Sequence, residues 1–306
     1  MMIANPPSEA AIAATEEAVP ATLAVGPREP APALVVTRID PAQGWQWINF
    51  GELWQFRELI CVLTWRDVKV RYKQTVLGAA WAILQPLMMM VVFTIFFGGM
   101  AGVSSGDFPY PLFAYAGLLP WTFFATAITG AGNSVVGSEH LITKIYFPRL
   151  AVPFAKVGAT TVDFVIAFGL LIAMMVYYHI APGWGMLLVP VIFVAILLAA
   201  LSVGIVLAAL NVAYRDFRHV IGFLVQLWMF ATPTVYMQPK ATATGWVHLL
   251  LALNPMTSLI AAFRSSVLGG PIPWGPCGIA TAAVTVTFFC GCFYFRKVED
   301  TFADII

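Results

Sequence analysis

Charge of either sign is scarce in this chain. Only 10% of its 306 residues are charged, against about 25% in an ordinary soluble protein. Four long blocks carry no charge at all, at residues 74–106, 108–138, 164–214 and 265–295. Crossing a hydrocarbon core about 30 Å thick takes roughly 20 apolar helical residues. Because each block is long enough for at least one crossing, the sequence predicts an all-α polytopic membrane protein.

Catalytic and metal-binding patterns are also scarce. The chain has no Gly-x-x-x-x-Gly-Lys phosphate loop and no His-Glu-x-x-His motif. Its four cysteines lack the paired spacing of a disulfide framework or a zinc site. A net charge of +1 gives no indication of a nucleic-acid partner. We therefore predict that the chain is not an enzyme and binds no metal or cofactor itself, so that any ATP and Mg would be bound by a separate partner chain.

The N-terminal part differs from the rest. Residues 1–44 are rich in Ala and Pro and are predicted to form a disordered tail. In residues 45–73, apolar side chains recur at helical spacing among several tryptophans, which predicts an amphipathic helix in the membrane interface. The alternative is a soluble helix packed on a partner. Residues 74–298 are predicted to be a six-span transmembrane domain, and residues 299–306 a cytoplasmic tail.

A basic patch closes the interfacial segment, where Arg66, Lys69, Arg71 and Lys73 fall within eight residues. An excess of positive charge beside the first span is the ordinary signal for a cytoplasmic end, and that interpretation suffices. The patch would also suit contact with anionic lipid head groups or with a phosphorylated substrate.

The apolar blocks divide into six predicted spans, at residues 76–100, 112–136, 152–178, 186–210, 220–236 and 275–295. Lysine and arginine concentrate in alternate connections, which predicts that both termini are cytoplasmic. Before the last span, two apolar pieces too short to cross meet at Asn254 and Pro255. They predict two helices that re-enter the outer leaflet, and the alternative is a seventh and an eighth span.

Two ionisable residues, Lys156 and Asp163, lie within the third predicted span. A charge inside a membrane marks a functional site by default, although Lys156 is close enough to the cytoplasmic end to snorkel. Asp163 lies on roughly the same helix face, so it could pair with Lys156 or accept a hydrogen bond from a neighbouring helix. We favour a structural or gating role over direct substrate contact.

Six sequence blocks together resemble the membrane subunit of bacterial ABC exporters for cell-surface polysaccharides, the O-antigen, capsule and teichoic acid type of the type 2 ABC transporter superfamily. The blocks are Trp65-Arg-Asp-Val-Lys-Val-Arg-Tyr-Lys-Gln-Thr-Val-Leu-Gly-Ala-Ala-Trp-Ala-Ile-Leu-Gln-Pro86, Tyr115-Ala-Gly-Leu-Leu-Pro-Trp-Thr-Phe-Phe124, Lys144-Ile-Tyr-Phe-Pro-Arg149, Asn211-Val-Ala-Tyr-Arg-Asp-Phe-Arg218, Thr232-Pro-Thr-Val-Tyr236 and Leu253-Asn-Pro-Met256. The resemblance implies a homodimer with two copies of a separate ATPase subunit, in the bacterial inner membrane. The implied substrate is a long glycan on a lipid-pyrophosphate carrier, threaded through a channel between the two subunits.

The resemblance also implies roles for particular residues. Residues 139–147 would be a cytoplasmic coupling helix seated in the ATPase, with Glu139, His140, Leu141, Ile142, Lys144 and Tyr146 as its contact residues. Residues 242–254 and 255–268 would be outward re-entrant gate helices, with Asn254, Pro255 and Arg264 as gate residues. The basic patch lies where a pyrophosphate head group would first dock. The aromatic candidates for stacking on sugar rings along the channel are Tyr115, Trp121, Phe124 and Tyr236.

Three other functions compete with this one. An exporter of a drug or a lipid from the same superfamily would keep the fold without needing a wide conduit. A membrane-embedded enzyme of lipid-linked sugar metabolism would need clustered acids or histidines at one membrane face. A passive channel would have no ATPase partner and no use for a coupling helix.

Overall fold

The computed structural model describes residues 50–73, 78, 80–100, 102, 106, 108–145, 147–214, 216–236 and 253–299. Every regular element among these residues is helical, so the prediction of an all-α chain is confirmed. In chain order the helices are α1 (Phe50–Gln55), α2 (Arg57–Lys73), α3 (Ala80–Phe93), α4 (Tyr110–Gly132), α5 (Glu139–Ile142), α6 (Ala151–Tyr177), α7 (Val189–Ala213), α8 (Phe217–Phe230), α9 (Pro255–Leu268) and α10 (Trp274–Glu299). A π-helical stretch, Thr94–Met100, extends α3, and short 3₁₀ helices precede α5 and α7.

Five helical stretches in the described part of the chain are long and apolar enough to cross a membrane. They are Ala80–Met100, Tyr110–Gly132, Ala151–Tyr177, Trp184–Ala213 and Trp274–Glu299. Each overlaps one of the six predicted spans, and together they give the chain the character of a multi-pass membrane protein.

The remaining predicted span, residues 220–236, has a different form. Here α8 has 14 residues, which is about 21 Å of helix and short of a hydrocarbon core of roughly 30 Å. Pro233 accounts for the early end of the helix, because a proline disfavours helical backbone at the residue before it, Thr232. The chain turns instead, and the Thr234 amide donates to the Thr232 carbonyl at 2.7 Å.

The central helix of the bundle is α4, which packs on α3, α6, α7, α8 and α9. In its apolar 18-residue window 78% of the residues are buried, against 17% for the stretch that contains α3. Small residues permit the closest contact, since an added Cβ at Gly204 on α7 would lie 2.7 Å from the Cβ of Ala131. The π-helical extension of α3 leaves Ile95 and Phe96 exposed, to be covered by lipid or by another chain.

The bundle has two ends, which we call the α5 end and the distal end. The α5 end holds α5, the last residues of α4 and α7, and the first residues of α6. Asn211 of α7 fastens this end by donating to the Gly132 carbonyl at 2.9 Å. The distal end holds the first residues of α4 and the last residues of α6. We call the half of the bundle next to it the distal side.

The predicted interfacial segment forms two helices, α1 and α2, and its first five residues, 45–49, lie outside the described residues. Helix α2 packs along α6, where the Thr64 hydroxyl donates to the Ala155 carbonyl at 3.3 Å and meets the bare backbone of Gly158. On the other side, Trp54 and Trp65 are 70% and 58% exposed. The segment therefore packs on protein along α2 and exposes two tryptophans, whose rings lie 5.4 Å from the charged groups of Arg57 and Lys69.

The two predicted tails, residues 1–44 and 300–306, also lie outside the described residues. Glu299 was predicted to open the C-terminal tail, but it is the last residue of α10 and is buried.

Candidate functional site

A polar cleft of about 410 Å³ opens between α2, α3, α4 and α6. Its polar lining comes from all four helices and consists of Arg71, Tyr72, Gln85, Thr122, Thr126, Thr160 and Asp163. The rings of Trp81, Phe123 and Phe164 form much of the remaining wall. Apolar and aromatic walls with a few convergent polar groups are characteristic of sites that bind a polar organic ligand.

Asp163 joins α6 to α2 in this cleft. Its carboxylate accepts hydrogen bonds from the Arg71 guanidinium and from the Tyr72 hydroxyl. Burial raises the pKa of the Tyr72 phenol, and the charge of Arg71 partly opposes that rise. Tyr72 therefore stays protonated at neutral pH and keeps its role as a donor.

Lys156 also pairs with α2 and not with Asp163. Its Nζ lies 2.9 Å from Oδ2 of Asp67, whose other oxygen lies 3.0 Å from Nη2 of Arg66. Of the two alternatives for Asp163, the structure contains the hydrogen bonds from a neighbouring helix. Two ion pairs thus fasten α2 along the first half of α6.

Five polar residues of the cleft were not singled out from the sequence, namely Tyr72, Gln85, Thr122, Thr126 and Thr160. Gln85 and Thr126 lie within membrane-spanning helices, yet both are exposed. A polar group is costly against hydrocarbon, so this wall is suited to water or to a polar ligand. The available signal was Gln85 in an otherwise apolar run, one helical turn after Trp81.

The four residues of the basic patch have different surroundings. Arg66 and Arg71 are held by Asp67 and Asp163, whereas the Lys69 ammonium lies 5.4 Å from the ring centre of Trp65. Within the described residues, Lys69 and Lys73 form no ion pair. We therefore expect an external anion to bind first to these two lysines, because Arg71 already pairs with Asp163 of α6.

The predicted coupling segment is a short helix followed by turns. Helix α5 has four residues, so it ends five residues before the predicted limit at residue 147, and the Ser138 side chain makes no capping bond. Tyr146 lies outside the described residues. Ile142 is buried and Leu141 half-buried, whereas Glu139, His140 and Lys144 are exposed at the tip. The tip therefore offers charged groups of both signs to a partner.

An ion-pair cluster ties this segment to the rest of the α5 end. The backbone amide of Arg149 donates to Oε1 of Glu299 at 3.0 Å, and the Arg149 side chain donates to the Glu299 carbonyl. Arg296 pairs with Oε2 of Glu299 at 3.4 Å and with Glu52 of α1 at 2.8 Å. The connection that carries α5 is thus linked to the last helix and, through it, to α1.

At the distal side, Asn254 organises the start of α9, which has the predicted bounds Pro255–Leu268. Its Oδ1 caps the helix by accepting from the Met256 amide at 3.1 Å, and it also accepts from the Trp228 indole at 3.1 Å. Its Nδ2 donates to the Thr232 hydroxyl at 2.8 Å. One amide therefore joins α8, the turn after it and α9; the first predicted gate helix, up to residue 252, lies outside the described residues.

Arg264 of α9 closes the same region. Its guanidinium donates to the Thr234 carbonyl and, at 3.4 Å, to the Pro233 carbonyl, and it stacks 4.0 Å from the ring centre of Phe113. Gly117 makes the space, because a Cβ there would overlap both the Thr234 carbonyl and the guanidinium. Within the described residues Arg264 has no carboxylate partner.

The four aromatic candidates for the channel wall lie mostly in the interior of the chain. Trp121 is 2% exposed and Phe124 is fully buried, and the fully buried Tyr115 donates its hydroxyl to the Ala167 carbonyl at 2.9 Å. Only Tyr236 is half-buried. In this conformation the first three rings pack the core around α4, and the aromatic ring at the mouth of the polar cleft is that of Trp81, which is 52% exposed.

Comparison with known proteins gives extensive matches. Residues 58–268 match the ABC-2 type transporter family. An O-antigen export system permease protein, RfbA, of Myxococcus xanthus is 32% identical over 256 residues, covering 83% of this chain and 98% of that protein. An RfbA of Klebsiella pneumoniae is 27% identical over 263 residues (84% and 97%). The polysialic acid transport protein KpsM of Escherichia coli is 20% identical over 240 residues (77% and 91%).

Proposed function

This chain belongs to the ABC-2 type transporter family, and we propose that it is the channel-forming permease subunit of an ATP-driven exporter that carries a lipid-linked polysaccharide across the bacterial inner membrane. The observation that carries the proposal is the near full-length similarity to permeases whose names state O-antigen export. It confirms the resemblance inferred from the motifs, and it favours a polysaccharide over a drug or another lipid.

Six crossings are supported by the positions of the helix ends. Helix α7 ends at the α5 end, where Asn211 contacts Gly132, and α10 finishes there at Glu299. Since α10 has 26 residues, about 39 Å of helix, it starts at the distal end. The chain between α7 and α10 must therefore travel from one end to the other, and α8 lies on that route. With both termini cytoplasmic, the α5 end faces the cytoplasm.

The ATPase would bind at the tip around α5. The exposed side chains of Glu139, His140 and Lys144 suit a soluble partner, and the buried Ile142 anchors the tip to the bundle. ATP and Mg belong to that partner, of which we propose two copies for a homodimer of this chain. The exposed apolar faces of α3 and α8 are the surfaces available for a second copy or for lipid.

The glycan path follows from the polar cleft. Lys69 and Lys73 attract a pyrophosphate head group to the end of α2, next to Arg71. Gln85, Thr126 and Trp81 then supply weak polar and stacking contacts, of the kind that lets a polymer bind and move on. Asn254, Pro255 and Arg264 form a gate at the distal side, and Tyr115, Trp121, Phe124 and Tyr236 remain the predicted stacking residues of the channel.

The test is affinity purification of the tagged chain from its native membranes, followed by mass spectrometry and an ATPase assay. The proposal expects an ATPase chain in near-equal amount. Reversing the exposed charges at Glu139 and Lys144 should remove it, because both residues lie at the tip, while the permease stays folded. A matched control reverses Lys297, at the α5 end but on α10.

Two results would contradict the proposal. Absence of a stoichiometric ATPase would favour a passive channel or a membrane-embedded enzyme instead. If the ATPase remains bound after the charge reversal and its activity is unchanged, its docking site is not at α5.

A further inference from the structure

A second cavity, of about 450 Å³, lies directly beyond the polar cleft in the groove between α3 and α6. The two cavities follow one another along the same two helices. On α3, Pro86 lines the first cavity and Leu87 lines the second. On α6, Ala167 lines the first cavity and Leu170 lines the second. From Thr160 to Tyr177 the groove follows 18 residues of α6, and the 17 steps between them give a length of about 25 Å. That length approaches the roughly 30 Å of a hydrocarbon core.

The groove changes character along its length. The first cavity holds Arg71, Asp163 and several hydroxyl and amide groups. The second is almost wholly apolar, and its lining consists of Leu87, Met90, Val91, Thr94, Ile95, Pro111, Leu170, Ala173, Met174, Tyr177 and Tyr178. The change falls at Asp163, because residues 164–178 carry no charge. A groove that is polar at one end and apolar at the other has the pattern of an amphiphile.

Charge at the polar end favours an anionic head group. Of the charged residues, Arg71 and Asp163 line the cavity itself and pair with each other. Outside its lining, this part of α2 and α6 carries four more cations and one more carboxylate, Asp67, a net charge of 4 − 1 = +3; the cations are Arg66, Lys69, Lys73 and Lys156. A phosphate or pyrophosphate is complementary to this surplus. The apolar half is open at the side, where Ile95 is 56% exposed, so a hydrocarbon chain can enter from the bilayer.

We propose that the α3–α6 groove binds the lipid carrier of the export substrate, a long hydrocarbon tail with a phosphate-bearing head and an attached sugar. The tail lies in the apolar cavity, the phosphate lies at the end of α2, and the first sugar lies against Trp81, Gln85 and Thr126. This inference rests on the proposed function, since it assigns a seat to the substrate of that exporter.

An ordinary anionic phospholipid shares the tail and the phosphate but not the sugar. It would leave the hydroxyl and amide groups around Gln85 and Thr126 without a partner from the ligand. Water can bond to these exposed groups in that case, whereas the hydroxyls of an attached sugar can bond to them directly. The polar wall therefore favours the sugar-bearing carrier as the occupant.

The test uses the permease in complex with its ATPase and a polyprenyl pyrophosphate that carries one sugar and a photoreactive diazirine on its tail. Labelled peptides are mapped by mass spectrometry. We expect labels within residues 87–95, on α3 and its π-helical extension, and within residues 170–178, on α6 and the residue that follows it. The unlabelled carrier should compete about tenfold better than phosphatidylglycerol. Equal competition would identify a bulk-lipid groove, and labels confined to other helices would place the tail elsewhere; either result overturns the inference.

A groove-filling variant provides a second arm. Ala173→Phe adds a ring on the wall of the apolar cavity, whereas Val176→Phe adds one to an exposed position, 70% accessible, outside the lining of either cavity. We expect the first variant to lower labelling and export about tenfold and the second to change neither. Retained ATPase binding with unchanged labelling in Ala173→Phe would refute this inference alone, whereas absence of any ATPase would refute the proposed function.

Discussion

The two ends of the bundle hold their charges in different ways. At the α5 end, cations meet carboxylates from other helices, as in the pairs Lys156–Asp67 and Arg296–Glu52. At the distal side, Arg264 meets backbone carbonyls and an aromatic ring. Within the described residues, the ion pairs lie on α1, α2, the first half of α6 and the last turn of α10, and none involves the distal end.

This difference separates two mechanical roles. Ion pairs between side chains on separate helices can break and form again as the helices move, because both partners keep some access to water. The Arg264 guanidinium donates to the carbonyls of a single turn, so it cannot exchange these hydrogen bonds for equivalent ones when helices move. Under the proposed function, motion driven by the ATPase would act at the α5 end, and the path would close at the distal side. The following variants test this assignment, from the largest expected effect to the smallest.

The largest effect is expected at Gly117. A Cβ there overlaps the Thr234 carbonyl and the Arg264 guanidinium, so Gly117→Ala should lower the free energy of unfolding by about 3 kcal/mol through overpacking. Gly130→Ala on the same helix is the control, since nothing lies within 4 Å of its added Cβ. Thermal unfolding in detergent measures both, and equal stability of the two variants would show that the distal contact can relax.

Arg264→Lys tests whether the distal side needs the planar guanidinium or only a charge. A lysine cannot donate to two carbonyls as a fork and stack flat on Phe113. We expect a loss of about 2 kcal/mol in the free energy of unfolding, close to the loss in Arg264→Met. Full rescue by lysine would mean that the distal site behaves like an ion-pair site.

A double-mutant cycle with Glu52→Gln and Arg296→Gln tests the α5 end. The two side chains are 22% and 18% exposed, so we expect a coupling energy of only about 1 kcal/mol. It should shrink at 1 M salt, where the screening length is roughly 3 Å. A coupling that is independent of salt would contradict the comparison between the two ends.

The smallest effect is expected for Lys156→Arg, which keeps the charge beside Asp67. Since the lysine side chain is 31% exposed, we expect a change of under about 0.5 kcal/mol in stability. Lys156→Met should cost more, because Arg66 is then the remaining ion-pair partner of Asp67 among the described residues. Equal losses in both variants would show that packing, and not charge, fastens α2 to α6.

Elements controlled by local sequence were predictable. The charge-free blocks locate five membrane-spanning helices, and Asn254-Pro255 marks the start of α9 because an asparagine caps and a proline suits the first turn. The length of α8 was overestimated, since the apolar run continues past Pro233 while the helix does not. The coupling helix was also overestimated, because the helix ends at Ile142. The amides of Lys144 and Ile145 both donate to the Leu141 carbonyl, which closes a turn and does not continue the helix.

Contacts between distant residues were harder to predict. Asp163 and Lys156 share a helix face, but their partners lie on α2, about ninety positions earlier, and spacing along one helix carries no information about them. The burial of Tyr115, Trp121 and Phe124 was not predictable from the sequence, because α4 is apolar on every side and a membrane removes the polar contrast that marks a soluble core. Their role as channel-lining residues stays a prediction. Gln85 was the polar exception that could have indicated the cleft.

The most direct measurement is glycan transport by the purified permease–ATPase complex in proteoliposomes, with a fluorescent lipid-linked glycan added on the ATP side. The account predicts ATP-dependent movement of the glycan into the lumen, lost in Gly117→Ala and retained in Gly130→Ala. Transport that proceeds without ATP, or hydrolysis that moves no glycan while another lipid crosses, would contradict the assignment of this chain as the permease of a polysaccharide exporter.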